Sequence, residues 1–231
     1  MDITVITSCT DRKAVTTPNQ LTLADFRQGA AHVRRREAEL RPWMRRAGEM
    51  YTGEQHFRLM QGVNRARYAG HSVQVHIVSA GYGVVEENRL IAPYEATFNT
   101  MDRTEASGWA QSLSVPAALA DILGRPADRV LVLLGERYME AGCMDVANAI
   151  AAPTWVLCGK AVASRLPRAI TPIELLQTDT TVFGAGMVSL KGEIGARVLM
   201  QPDLDPAMVV ERAREYAMTQ PSQIDLFDLA A

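Results

Sequence analysis

Short apolar runs and longer helical windows alternate along this chain. The apolar runs are rich in β-branched residues and predict buried strands at 3–7, 73–79, 129–134 and 154–157. Helical periodicity predicts helices near 22–50, 53–69, 105–123, 139–150 and 205–219. Because strands alternate with helices, the pattern predicts an α/β fold with a mostly parallel central sheet flanked by helices.

The 22–50 window and the 180–200 segment contain residues that interrupt regular secondary structure. Thr22 and Asp25 have the spacing of a capping box at the start of the 22–50 helix, and Pro42 is expected to kink or divide it. The glycine-rich segment 180–200 fits either a strand or a turn that opens a helix. We expect a single α/β catalytic domain at 1–219, followed by a flexible tail at 220–231.

Composition narrows the class of protein. The 231 residues are 48% hydrophobic with a net charge of −2, so one core is expected and any DNA contact must come from a local basic patch. Three widely spaced cysteines predict neither a disulfide framework nor a zinc site, and no histidine pair suggests a metal. No signal peptide or long apolar segment is evident, which predicts neither export nor a membrane partner. The cysteine pattern favours a cytoplasmic protein, and no metal or cofactor is expected.

The first predicted strand ends in a cluster of reactive side chains. Cys9, Asp11, Arg12 and Lys13 follow it directly, together with a threonine hydroxyl. Such a loop can bind an anion or share a proton, and we take Asp11, Lys13 and Cys9 as catalytic candidates. The alternative for Cys9 is simple packing, since a free cysteine behaves as a small buried hydrophobe.

The second strand is followed by glycines and aromatic residues. In parallel sheets, ligands bind beyond the carboxyl ends of the strands. We therefore expect this stretch to converge with the first loop around a planar base, with Glu95 as a further catalytic carboxylate. The base-binding candidates are Ser79, Gly81, Tyr82, Gly83, Asn88, Tyr94 and Phe98. A turn held by aromatic packing is the alternative.

Arginines are concentrated between positions 27 and 46. A solvated helix face is one explanation, but the excess of arginine over lysine favours bidentate phosphate contacts. The candidates for contacting DNA phosphates are Arg12, Arg34, Arg35, Arg41, Arg45, Lys160 and Lys191. For Lys191, a solvent-exposed turn is the alternative.

Five short motifs carry a resemblance to a known group of proteins. They are Ser8-Cys9-x-x-x-Lys13, Tyr51-Thr52-Gly53 with Phe57, Ser79-Ala80-Gly81-Tyr82-Gly83, Pro93-Tyr94-Glu95 and Leu134-Gly135-x-x-Tyr138. Over residues 3–160 the chain resembles the YaaA-like family and, distantly, the uracil-DNA glycosylase superfamily. The usual Gly-Gln-Asp-Pro-Tyr and His-Pro-Ser loops of those glycosylases are absent, and Glu95 stands where the family usually has Asp.

This resemblance implies a uracil-DNA-glycosylase-like fold and a base-excising activity. It also suggests the replication-interference glycosylases that remove glucosylated hydroxymethylcytosine from phage DNA. The base would be flipped out of its stack, and Asp11 or Glu95 would stabilise the positive charge on the sugar. Arg12 or Lys13 would balance charge on the departing base, while Asn88 would read a base edge. The alternatives are a deoxyribosyltransferase-like nucleoside or nucleotide enzyme and a non-catalytic DNA-binding stress protein.

The tail carries a separate motif. Gln223, Leu226 and Phe227 lie in a segment that is similar to the peptide by which bacterial DNA enzymes dock on the polymerase sliding clamp. Two apolar anchors on a flexible terminus suit such docking. The alternative is a tail that packs on its own core.

Overall fold

A six-stranded sheet forms the centre of the computed structural model, which describes residues 1–142 and 149–219. In chain order the strands are β1 (Asp2–Ser8), β2 (Leu21–Thr22), β3 (Arg45–Arg46), β4 (Ser72–Ser79), β5 (Gly83–Glu86), β6 (Leu90–Ile91), β7 (Tyr94–Glu95), β8 (Arg129–Leu133), β9 (Thr154–Cys158) and β10 (Ile170–Glu174). The sheet has the order β10-β9-β8-β1-β4-β5, with every neighbouring pair parallel except β4 and β5. The predicted α/β class with a mostly parallel central sheet is confirmed.

Helices pack around this sheet. In chain order they are α1 (Leu23–Arg27), α2 (Ala30–Glu39), α3 (Ala47–Met50), α4 (Glu54–Tyr68), α5 (Arg103–Ser112), α6 (Val115–Leu123), α7 (Glu136–Gly142), α8 (Lys160–Ala163), α9 (Asp179–Phe183), α10 (Met187–Leu199) and α11 (Pro206–Thr219). The helices α4 and α10 pack against each other and against β4 and β8, respectively. A second group, α5, α6 and α7, packs together and meets the sheet at β5.

The strand order places a crevice at one point of the sheet edge. The chain leaves β1 to build β4 and β5 on one side, and then returns to build β8, β9 and β10 on the other. In doubly wound sheets, the connections leaving two such adjacent strands diverge, and ligands bind between them beyond the carboxyl ends. The fold therefore predicts a binding site at the ends of β1 and β8.

Several sequence-based boundaries were wrong. The 22–50 window forms three short helices rather than one. Gly29, at φ 89°, separates the first two, and the 3-10 turn Arg41–Trp43 lies between the second and the third, so the expected division at Pro42 is confirmed. The predicted interaction between Thr22 and Asp25 does form at the start of α1, with Thr22 N donating to Asp25 Oδ2 at 2.8 Å. The 180–200 segment is helical, as α9 and α10, and the 105–123 window breaks at Ser114, whose φ is 56°.

The α4–α10 contact is close enough to require glycine. A Cβ atom on Gly192 would clash with the Gln55 backbone carbonyl, and one on Gly62 would clash with the Ala196 backbone. Backbone atoms cannot move aside as a flexible side chain can. The contact thus fixes the N-terminal turn of α4 against α10.

We expect Gly192→Ala to lower the free energy of unfolding by about 1–3 kcal/mol, because the added methyl group forces the two helices apart. Chemical denaturation measures this loss. Gly108→Ala is the matched control, since Gly108 also lies within a helix but has open space around it. That control should be neutral or stabilising by up to about 1 kcal/mol. Equal stability of the two variants would contradict the close contact.

Among residues 1–142 and 149–219, no helix is long and apolar enough to cross a membrane. The proposed tail at 220–231, with its clamp-binding candidates Gln223, Leu226 and Phe227, lies outside the described residues. That motif stays a prediction.

Candidate functional site

A cleft of about 530 Å³ opens at the carboxyl ends of β1 and β8. We call it the switch-point cleft. Its lining residues are Ser8, Cys9, Thr10, Asp11, Arg12, Gly53, Glu54, Gln55, Asn99, Gly135, Tyr138 and Val188. Its volume lies within the range of about 300–1,000 Å³ that is typical of small-ligand pockets. The cleft is therefore the principal candidate site among the described residues.

The loop after β1 is held by the segment that precedes α4. Gly53 N donates to Thr10 Oγ1 at 3.1 Å, and Thr52 N donates to the Arg12 carbonyl at 3.0 Å. A Cβ atom on Gly53 would lie 2.6 Å from Thr10 Cβ, so only glycine permits this approach. These contacts bring Glu54, the first residue of α4, into the same cleft as Asp11.

Gln55 is oriented by two internal hydrogen bonds. Its amide nitrogen donates to the Leu133 carbonyl at 3.2 Å and to Thr7 Oγ1 at 3.4 Å. Both amide hydrogens are thus used by the sheet, and the carbonyl oxygen is left to accept a hydrogen bond from a ligand. Asn99, in the 3-10 turn Phe98–Thr100, adds a second exposed amide to the lining.

Cys9 reaches the cleft beside a buried phenol. Its Sγ lies 3.1 Å from Tyr138 Oη, and the thiol side chain is largely buried. Burial raises the pKa of Tyr138 well above its ordinary value, and the neighbouring Cys9 adds to this effect. Tyr138 therefore remains a protonated hydroxyl at neutral pH, so it can donate a hydrogen bond but cannot serve as a base.

Two of the predicted catalytic residues, Lys13 and Glu95, lie outside the cleft. Lys13 is buried against Tyr94, with its Nζ 4.7 Å from the ring centroid and 4.0 Å from Glu95 Oε2. Glu95 is 61% exposed at the other side of this contact. The prediction that Asp11, Lys13, Tyr82 and Glu95 surround one hollow was wrong, because the Tyr94 ring fills the space next to Lys13.

The predicted base-binding residues do not line the switch-point cleft either. Tyr94 and Phe98 are fully buried, so they cannot stack on a ligand. Tyr94 Oη lies 2.7 Å from Ser79 Oγ and 2.9 Å from Tyr51 Oη, and burial raises the pKa of both tyrosines.

The glycines of this stretch serve packing. A Cβ on Gly81 would meet the Phe26 ring at 2.6 Å, while Gly83 adopts φ 71° at the start of β5. Asn88 is exposed at another depression, next to Arg67 and His76, and Tyr82 lines a second cleft, described below. The residues after β4 therefore form no base site at the switch-point cleft, because aromatic side chains fill the end of β4, whereas the end of β8 is open.

The predicted phosphate contacts divide into three groups. Arg12 lines the cleft, and Arg34, Arg35, Arg41, Arg45 and Lys160 are exposed. Lys191 is different, because its Nζ donates to the Leu134 carbonyl inside the fold. Burial lowers the pKa of this ammonium to about 8, so the prediction of a surface phosphate contact was wrong.

Of the lining residues, only Cys9, Asp11 and Arg12 were named as site candidates from the sequence. Ser8, Thr10, Gly53, Gly135 and Tyr138 lie in the loop or the motifs described above but were given no role, and Glu54, Gln55, Asn99 and Val188 were missed altogether. Glu54 and Gln55 directly follow the Tyr51-Thr52-Gly53 motif, which was the available signal. Asn99 and Val188 carry no motif of their own. In the described part of the chain, no cluster of three His, Cys, Asp or Glu side chains is arranged to hold a metal ion.

The middle of the chain matches a family of proteins. Residues 38–166 match the family described as a family of unknown function (DUF6884), which covers more than half of the chain. The matched region contains α4, β8 and half of the cleft lining, but not the Cys9–Arg12 loop. No curated protein matches the sequence.

Proposed function

Since the chain belongs to the family of unknown function DUF6884, we propose a function from its switch-point cleft: a DNA glycosylase that cleaves the N-glycosidic bond of a modified base. One observation carries the proposal. Two carboxylates, Asp11 and Glu54, share a cleft with the Arg12 guanidinium and two side-chain amides. We also propose that the fold is like that of the uracil-DNA glycosylases, that phage DNA is the substrate and that the sliding clamp is a partner.

These groups suit the chemistry of glycosidic cleavage. The sugar becomes oxocarbenium-like, and a carboxylate facing C1′ stabilises that charge and orients the attacking water. Asp11 is our candidate for this role, with Glu54 as the second carboxylate. Arg12 balances the negative charge that develops on the departing base, and Gln55 and Asn99 hydrogen-bond its edge.

An exposed basic surface supports DNA as the substrate. Arg34 and Arg35 on α2, and Arg41 and Arg45 after it, are exposed, and the described residues place no carboxylate within 4.0 Å of their guanidinium groups. Trp43, between the last two, is 41% exposed. Exposed guanidinium groups that no carboxylate neutralises favour binding to a phosphate backbone, and an exposed aromatic ring can stack on a base.

Release of free bases tests the proposal. We expect the purified protein to release a base, detected by mass spectrometry, from at least one DNA in a panel that includes phage DNA with glucosylated hydroxymethylcytosine. Abasic sites should appear in equal amount. Absence of free bases and abasic sites from every DNA tested, with folded protein, would contradict the proposal.

A nucleoside or nucleotide enzyme is the second candidate. The observation that favours it is the cleft itself, because its lining contains a single guanidinium, Arg12, and its volume suits one nucleoside. Such an enzyme cleaves mononucleosides or mononucleotides but not polymer. The same mass-spectrometric assay with free nucleosides and nucleotides separates the two functions, and tight, salt-sensitive binding without any product indicates a DNA-binding protein.

A further inference from the structure

A second cleft, of about 340 Å³, lies between α1, the start of α2, the turn that contains Tyr82 and α5, and it shares no lining residue with the switch-point cleft. We call it the aromatic cleft. Three aromatic side chains and two arginines dominate it: Phe26, Tyr82, Trp109, Arg27 and Arg89. This composition is typical of sites that bind a planar base next to an anionic group.

The two cations already lie over two of the rings. The Arg89 guanidinium carbon is 5.4 Å from the Tyr82 ring centroid, and that of Arg27 is 5.9 Å from the Trp109 ring. Both side chains are exposed and long, so each can move aside while remaining close to its ring. A base can then stack on the ring, and the displaced guanidinium can bind the attached phosphate.

Both rings are held in place from behind. Tyr82 Oη accepts a hydrogen bond from Ala92 N at 3.1 Å, and its ring meets Phe26 edge-on at 5.0 Å. Trp109 Nε1 donates to the Ala80 carbonyl at 2.7 Å. Because the rings are already ordered, a stacking ligand pays little side-chain entropy when it binds.

Two arginines and two carboxylates, Glu105 and Glu37, surround the cleft, so it carries no net positive charge and Arg89 is the group available to a phosphate. Arg27 is paired with Glu105, whereas Arg89 has no carboxylate within 4.0 Å among the described residues. The Glu37 carboxylate opposes the positive charge of the arginines. After burial, it is the main cause that raises the pKa of Tyr82. The N-terminus of α2 also opens here, with Gly29 as its N-cap, and adds a favourable dipole to the two cations.

We infer that the aromatic cleft binds one nucleotide of single-stranded nucleic acid, with the base stacked on Tyr82 or Trp109 and the phosphate bound by Arg89 and Arg27. A paired base is already stacked on both faces and cannot enter a cleft of this size. The inference deepens the proposed function, on which it rests for the choice of DNA. It gives the enzyme a second nucleotide-binding site, separate from the switch-point cleft.

Fluorescence anisotropy with a labelled oligothymidylate of about 12 nucleotides tests the inference. We expect Arg89→Gln and Arg27→Gln each to weaken binding about 5- to 10-fold and to reduce the salt slope by about one unit. Trp109→Leu should weaken binding about 5- to 100-fold. Arg125→Gln is the matched control, since Arg125 is an exposed arginine that pairs with Asp121 on α6 and should leave affinity unchanged.

The outcomes separate this inference from the proposed function. If both Gln variants bind like the Arg125→Gln control, DNA lies elsewhere and the inference is wrong, even if bases are released. If no base is released but Arg89→Gln still weakens oligonucleotide binding, the proposed function fails and the inference stands. Tighter binding of an acidic, tyrosine-containing peptide than of the oligonucleotide would assign the cleft to a protein partner and overturn the inference. The Gln variants keep the test decisive if Trp109→Leu does not fold.

Discussion

Asp11→Asn should abolish base release while leaving DNA binding within about twofold of the native protein. The asparagine has the same shape but no charge, so it cannot stabilise the cationic sugar or accept a proton from water. Positioned acid–base groups contribute about 10²- to 10⁴-fold to a rate, and we expect a loss of at least about 100-fold in the single-turnover rate. Base release is followed by mass spectrometry and binding by anisotropy. Glu54→Gln should have the same effect if both carboxylates act on one sugar.

Glu95→Gln is the informative comparison for these variants. Glu95 was the second catalytic carboxylate suggested by the sequence, but it lies outside the switch-point cleft, with its Oε2 4.0 Å from Lys13 Nζ. We therefore expect nearly native base release from Glu95→Gln. A large loss in that variant, together with an active Asp11→Asn, would place the reaction at Lys13 and contradict our assignment of the site.

Asp179→Asn should lower the free energy of unfolding by about 3 kcal/mol. Asp179 is fully buried at the start of α9 and accepts hydrogen bonds from Arg214 Nε at 2.8 Å, Arg214 Nη2 at 2.6 Å and Leu176 N at 2.8 Å. Arg214 also donates to the Glu174 carbonyl, so the pair joins α11 to α9 and to the end of β10. The substitution leaves the guanidinium partly buried without its counter-charge.

The effect should depend on pH in a defined direction. Burial alone would raise the pKa of Asp179, but the hydrogen bonds from Arg214 and Leu176 outweigh it and hold the pKa below its ordinary value of 3.8. The stabilisation is therefore complete above that value and is lost as the pH falls through the lower pKa of the folded state. The stability difference between native protein and variant should be constant from pH 7 to 5 and should shrink in stronger acid.

Asp121→Asn provides the control for this experiment. Asp121 on α6 pairs with Arg125, which lies just beyond the end of that helix, and both side chains are more than half exposed. Solvent screens such a pair, so its loss should cost less than about 0.5 kcal/mol. Urea denaturation of the three proteins at several pH values compares them. Equal losses in the two variants would contradict the buried network that we assign to Asp179.

The sequence by itself determined the main secondary structure and the fold class. The strands β1, β4, β8 and β9 were predicted within one or two residues, because a buried strand leaves a continuous apolar run in the sequence. The edge strands β5 and β10 were missed. Both lie at the sheet edges, and β10 has two consecutive exposed residues, Thr171 and Pro172, of which proline disfavours a strand prediction.

Only the tertiary structure decided which loops enclose the candidate site. The pattern after β1 identified Asp11 and Arg12, but local periodicity carries no information on which other strand end stays open. Which strand end stays open depended on side chains that are remote in sequence. Phe26 and Tyr94 pack against Gly81 after β4. The Thr10–Gly53 contact brings Glu54 into the same cleft as Asp11, although the two lie 43 positions apart in the chain. Hydrophobic patterning is a local property of the chain, whereas the space left between packed elements depends on the shapes of residues that are distant in sequence.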